Sequence, residues 1–289
     1  MCLTSFVFSL QDGLSRHLGA NYSPYMVVML RFWFFAAFVI AMAARQPGEI
    51  RAAVRSNMPF LQIFRGFLLV AEIVVIVFAF VHLGLIASHA IFACYPLLVA
   101  ALSGPVLGER VGWRRWTAIG IGFVGVLIIL EPGFAVFSPL VLIPVLSAAM
   151  FALYSLLTRY VARKDPASVS FFWTGVAGAA LITPFGLMHW EPMAPADWGW
   201  MLLLCCTAVT AHFTMIKALE VAEASAIQPF AYLQLVFASA VGIIVFDESI
   251  RTNVMIGAAV VVAAGIFTLW RARKVAASAV SDPSVRPSA

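Results

Sequence analysis

Ten apolar runs follow one another through this 289-residue chain, separated only by short polar or Gly/Pro breaks. A bilayer crossing takes roughly 20 apolar residues in an α-helix, because each residue adds 1.5 Å to a path of about 30 Å of hydrocarbon. Lipid offers no partner to backbone N–H and C=O groups, so runs of this length must satisfy them internally, as helices. The predicted spans lie near 3–19, 25–44, 59–82, 86–107, 114–131, 138–160, 168–188, 197–217, 224–246 and 253–271. Composition agrees: 63% of residues are apolar and only 11% charged, where a soluble domain has about half and a quarter. The expected class is therefore all-α, a polytopic membrane protein whose surroundings are a lipid bilayer. The net charge of +5 does not point to nucleic acid, because the basic residues form short clusters between the apolar runs.

The distribution of those basic residues orients the chain. Cytoplasmic loops carry an excess of Lys and Arg. With both termini inside, fourteen of the eighteen, Arg45, Arg110, Arg163 and Lys164 among them, fall on the inner side, two (Arg16 and Arg251) on the outer side, and Arg31 and Arg65 within spans. An even number of crossings is required, and ten fits. This places the chain in a bacterial inner (plasma) membrane, with both termini cytoplasmic. The opening stretch reads as the first helix, not a cleavable leader, since no basic segment precedes it and Asp12 and Arg16 interrupt it. Residues 272–289 read as a disordered cytoplasmic tail, rich in Ser, Pro and Ala. Cys2, Cys94, Cys205 and Cys206 form no CxxC pair and have no His at zinc-ligand spacing. No metal or cofactor is expected.

The halves of the chain resemble each other. Tyr95-Pro96-Leu97-Leu98 with Leu107-Gly108-Glu109-Arg110 stands opposite Gln234-Leu235-Val236-Phe237 with Phe246-Asp247-Glu248-Ser249, and a helix of small residues follows each block. Five spans per repeat is an odd number, so the second repeat enters the membrane from the opposite side. The domains expected are a first five-helix repeat, 1–131, and an inverted second repeat, 138–271, around a central cavity. A substrate in such an arrangement binds near the midplane between repeats that rock to alternate access. One chain encloses the pocket, so a monomer suffices.

Ionisable groups are costly inside a bilayer, which makes each one a functional candidate. Glu72 lies about 20 Å along the third span by helical rise, and is a candidate receiver of a substrate ammonium group or a coupling proton. The plainer alternative is a carboxylate bonded between helices. Asp12 and Arg31 lie at similar depth on the first two spans and are expected to form a structural ion pair. His89 and His212, the histidines within spans, are further candidates for proton coupling, against the commoner role of an interhelical hydrogen bond. Ser147, Phe151, Tyr154 and Thr158 share one helical face, and Gln228, Tyr232, Leu235 and Ser239 share another. His89 and Phe92 with Tyr95 make a third group. Polar tips and rings together suit a small zwitterion with a variable side chain, so the candidate substrate-binding set is Glu72, His89, Tyr95, Phe151, Tyr154, Gln228 and Tyr232. Pro96 and Pro105 in the fourth span suggest a helix that bends during gating, against the plainer alternative of a static kink. No GxSxG, HExxH or Asp-rich pair is present, so an enzyme is not expected.

The ten spans, Arg31-Phe32 in the second, Arg65-Gly66 opening the third, the Pro96-Leu97 to Gly108-Glu109 block of the fourth and the glycine-rich fifth resemble the drug/metabolite transporter superfamily, EamA type, over residues 1–271. The resemblance implies a ten-helix bundle with a cavity lined by spans 1, 3, 4, 6, 8 and 9. It is similar to bacterial broad-range amino-acid exporters of the YddG kind, which implies secondary transport of amino acids or similar metabolites and puts Glu72, Tyr95, Phe151 and Tyr154 at the substrate. Tyr95 stands where an indole is expected, which argues against a purely aromatic substrate range. The Ser9–Arg16 and Pro229–Leu233 stretches are similar to S-adenosylmethionine uptake carriers of the same superfamily, the alternative function.

Overall fold

The computed structural model describes residues 2–45, 49–108, 113–130, 139–221 and 231–280. Every regular element among them is helical: α1 (Cys2–Asn21), α2 (Pro24–Ala43), α3 (Glu49–Val54), α4 (Pro59–Leu83), α5 (Leu85–Phe92), α6 (Tyr95–Leu107), α7 (Trp113–Leu130), a 3₁₀ turn (Pro139–Val141), α8 (Leu142–Val161), α9 (Ala167–Met188), α10 (Asp197–Val221), α11 (Ala231–Phe246) and α12 (Thr252–Val280). Six helical stretches are long and apolar enough to cross a membrane, counting α5 with α6 as one, and three shorter apolar stretches lie in α7, α11 and α12. The exterior is apolar, with Phe60, Ile121, Val124, Leu146 and Ile244 exposed, whereas Asp12, Arg31, Gln62, Arg65, Glu72, His89 and His212 are buried. That inversion of the soluble pattern is what lipid surroundings demand.

Three elements depart from the sequence-based expectation. The fourth apolar run is not one helix but two, parted at Ala93–Cys94. Pro96 has no N–H to offer the carbonyl four residues back, and its ring crowds that carbonyl, so the ladder restarts after Cys94. The connection around Gln46 to Met58 contains the short helix α3. The basic tail is helical as far as Val280, because Ala, Arg and Lys are strong helix formers. Residues 281–289 lie outside the described set.

Two packing features position the interior. First, α7 and α12 make the most extensive contact: a Cβ on Gly257 would stand 2.5 Å from the Gly125 carbonyl oxygen, and one on Gly125 would stand 2.8 Å from that of Gly257. Only residues without a Cβ let the two backbones approach so closely. Second, the contacts recur in matched sets. α2 packs on α9, and α7 on α12; α4 packs on α8, as α10 packs on α1; α6 packs on α8, as α11 packs on α1; and α4 packs on α9, as α10 packs on α2. Exchanging the elements before residue 131 with those after 138, in order, returns the first two contacts to themselves and turns each of the others into its stated counterpart.

The two ends of the bundle are tied by polar contacts. At one end Tyr22 Oη donates to Asp197 Oδ2 at 2.7 Å, the Ser23 amide donates to Glu191, and Tyr25 lies 4.7 Å from the His189 ring. At the other, Asp165 accepts from Ser56 Oγ (2.5 Å), the Asn57 amide (2.8 Å) and Gln62 Nε2 (3.0 Å). Burial acts to raise the Asp165 carboxyl, but these hydrogen bonds outweigh it and hold the group below the usual carboxylate range.

Candidate functional site

Polar side chains from seven helices meet at the centre. On α1, Ser5, Ser9, Asp12 and Ser15 are buried, a polar stripe at helical spacing that explains why this helix is less apolar than the others. Asp12 Oδ2 accepts from Gln234 Nε2 of α11 at 2.9 Å and lies 3.1 Å from His89 Nε2 of α5. His89 Nδ1 lies 3.0 Å from the Leu85 carbonyl oxygen. Either ring nitrogen of His89 is thus within hydrogen-bond reach of an acceptor oxygen, Leu85 on one side and Asp12 on the other. The imidazole lies face to face with Phe80, centroids 5.0 Å apart at 3°.

Glu72 of α4 accepts from Ser147 Oγ of α8 at 2.7 Å. The expected direct pair of Asp12 with Arg31 is not formed: among the described residues, no ion pair joins them. Both side chains turn into the same cavity, but Asp12 is taken by α5 and α11. Arg31 Nη2 instead lies 3.0 Å from His212 Nε2 of α10. Helical rise sets depth along a hairpin but not which neighbouring helix supplies the nearer partner, and that is where the expectation failed.

The rings form a connected wall. Phe151 lies 5.0 Å from Tyr95, 5.5 Å from Phe92 and 6.1 Å from Tyr154. Glu72, His89, Phe151 and His212 line the central cavity together with Asp12 and Arg31. Tyr95 stands one ring behind it, touching Phe92 and Phe151. Tyr154 lies on the side of Arg65, whose guanidinium is 5.2 Å from its ring centre and donates to Thr158 Oγ1 at 2.9 and 3.1 Å. Tyr232 is buried against Gly265, away from the cavity lining. Gln228 lies outside the described residues. Gln11, Ser15 and Gln234 line the cavity and were not singled out in the sequence; polar residues recurring on one face of α1 were the available signal. No cluster of three or more His, Cys, Asp or Glu able to hold a metal occurs among the described residues.

The free space here is about 30 Å³, room for about one water and far less than a metabolite. One turn away, toward the end that holds Asp197, a second cavity of about 840 Å³ lies between Arg16, His82, Phe246 and Glu248. Glu248 lines this second cavity. It pairs with Arg16 and accepts the Leu85 and Ile86 amides at 2.7 and 2.8 Å. Those amides open α5 and would otherwise lack partners. Gly84, at φ 86°, precedes them, and a Cβ there would stand 2.8 Å from the Glu248 carboxylate. Arg16 also lies over the Phe246 ring, 4.1 Å from its centre.

Comparison with known proteins places this architecture. The sequence profile of the EamA-like transporter family matches residues 1–131 and again 138–270. The chain is 23% identical over 266 residues to an S-adenosylmethionine uptake transporter of Rickettsia prowazekii (strain Madrid E), covering 92% of this chain and 90% of that one. It is 29% identical over 285 residues to a riboflavin transporter of Vibrio cholerae serotype O1, covering 95% and 93%. One solved crystal structure superposes with a TM-score of 0.64 at 19% identity, over 94% of this chain and 98% of that one; at that identity the likeness concerns the fold alone. With the family profile matched over most of its length and transporters as its relatives, the chain belongs to the EamA-like transporter family, as a multi-pass membrane transporter and not an enzyme.

Proposed function

We propose that the protein is an inner-membrane uptake carrier for a zwitterionic metabolite bearing an aromatic ring, of the S-adenosylmethionine type, working by alternating access between two inverted five-helix repeats, 1–131 and 138–271. One observation carries this reading: ionisable groups of both signs, Asp12, Glu72 and Arg31, line one buried cavity beside the Phe92–Tyr95–Phe151 ring cluster. Charges buried at that depth are retained only for a task, and rings with ionic tips suit a solute that is polar at one end and flat at the other. The matched contact sets support the repeat, since a pseudo-twofold exchange of halves produces such pairs. The small central space with a larger cavity at one end is what a carrier closed around its site presents.

Uptake of S-adenosylmethionine is preferred to broad amino-acid export because of the relatives, and a single chain is taken as the working unit. Of the groups proposed to carry a coupling proton, Glu72, His89 and His212, the assignment is to His89, whose Nε2 lies 3.1 Å from Asp12 in the cavity wall, so that a proton can pass between ring and carboxylate. Riboflavin is the second reading, favoured by the ring cluster and the 29% relative. Counterflow in proteoliposomes loaded in turn with S-adenosylmethionine, riboflavin and neutral amino acids decides. Exchange of S-adenosylmethionine alone is expected. Exchange of riboflavin or of several amino acids without it would replace the substrate named here.

A further inference from the structure

Arg31 is 2% exposed and His212 is 1% exposed, and they touch each other in the cavity wall. A guanidinium has five N–H donors and no acceptor, so in the 3.0 Å contact with Arg31 Nη2 it is His212 Nε2 that accepts. The ring hydrogen is thereby fixed on Nδ1. Among the described residues, His212 Nδ1 has no hydrogen-bond partner, and neither has Arg31 Nε. The ring is held in place by Phe8, edge-on at 5.2 Å, and by Phe35 at 6.2 Å. Two neighbouring buried N–H groups thus lack an acceptor, one of them on a cation. Among the described residues no carboxylate lies within ion-pair distance of Arg31, Asp12 being engaged by His89 and Gln234 and Glu72 by Ser147. A buried donor without an acceptor is unfavourable, and a buried cation without a counter-ion more so. Both deficits are relieved by one ligand: a planar anion with two acceptor oxygens.

We infer that Arg31 and His212 form the subsite for the carboxylate of the transported solute, Arg31 Nε–H and His212 Nδ1–H each donating to one of its oxygens. The inference rests on the proposed zwitterionic substrate for its biological ligand but not for its chemistry. The cationic group of the solute then faces Asp12, Glu72 and Gln11 Oε1, which has no partner among the described residues, a wall of acceptors suited to it.

The test has two arms. In the first, the full chain with ¹⁵N-labelled histidine, in lipid nanodiscs, is titrated with acetate and, separately, with chloride; His212→Gln identifies the resonance. A His212 signal of the Nδ1–H tautomer that moves saturably with acetate but not with chloride is expected. An Nε2–H tautomer, or equal response to both anions, overturns the subsite whatever the metabolite is. In the second, counterflow of S-adenosylmethionine is compared with that of its decarboxylated analogue. The wild type is expected to favour the carboxylate form by at least about tenfold, as for a hydrogen bond to a charged group. His212→Met should bring that ratio close to one, and His212→Gln, whose amide oxygen accepts from Arg31 while its NH₂ donates, should restore it. A ratio unchanged in His212→Met overturns the inference, whereas transport of neither compound with the acetate response intact rejects S-adenosylmethionine and keeps the carboxylate site.

Discussion

Asp165 shows how much one side chain can organise. Its carboxylate gathers Ser56, Asn57 and Gln62, and Gln62 Oε1 accepts from Arg65. The charge of a buried guanidinium is thereby relayed to an anion in the connection between α8 and α9. Asp165→Asn is expected to cost about 1–3 kcal/mol, the scale of charge-assisted hydrogen bonds left unmade, read as a lower melting temperature in detergent. The sign with pH follows from the depressed carboxyl: its contribution is complete above the unfolded-state carboxylate range and is lost as pH falls below it. Melting followed from neutrality to below pH ~4 should show a loss that Asp165→Asn lacks, and identical curves would remove this role. Glu72 offers a second residue-scale prediction. Glu72→Gln keeps an acceptor for Ser147 but removes the charge, so counterflow should fall by about tenfold or more if the solute's cation meets it; wild-type rates would make it structural.

Element by element, what could be read from the sequence was what lipid enforces. The second apolar run, expected at 25–44, is the helix Pro24–Ala43, and the seventh, expected at 168–188, is Ala167–Met188, because hydropathy and helix length are bound together in a bilayer. The break before Pro96 was legible only as a bend, since Pro reports a lost hydrogen bond but not whether the helix restarts. The partners of Asp12 and Arg31 were not legible at all. Which of several neighbouring helices supplies a contact depends on three-dimensional packing that one-dimensional spacing does not contain. The same limit hid Glu248, which the sequence offered only as part of a repeat block and which fastens α5, α1 and the end of α11 together. Glu248→Gln preserves the shape but weakens the pairing with Arg16 and the two amides, destabilising closure by roughly 1–3 kcal/mol. A cysteine at Ser15, which lines the central cavity, should then react at least about tenfold faster with a membrane-impermeant maleimide. Equal rates in both backgrounds would show that Glu248 does not control entry.

For the whole molecule, the decisive matter is handedness of insertion. The principal contacts between the halves map onto themselves or one another when the elements before residue 131 are exchanged with those after 138, and the family profile matches the two stretches separately. Two copies of one architecture joined head to tail would be related by an axis along the membrane normal if each crossed an even number of times, and by an axis in the membrane plane if each crossed an odd number. On the five crossings per half proposed here, equivalent connections lie on opposite sides: the one between α6 and α7, which holds Arg110, and the one between α11 and α12, which holds Ser249. Carrier function depends on that opposition, because a site between like halves inserted in opposite senses has two closures of similar free energy related by the pseudo-twofold axis, and exchanging them moves the opening from one face to the other. In a background with Cys2, Cys94, Cys205 and Cys206 replaced, a cysteine at Ser249 should react with an impermeant maleimide in intact spheroplasts, and one at Arg110 only after permeabilisation. Reaction of both from the same side would leave the halves in parallel, with no twofold-related closure for the bound solute to select.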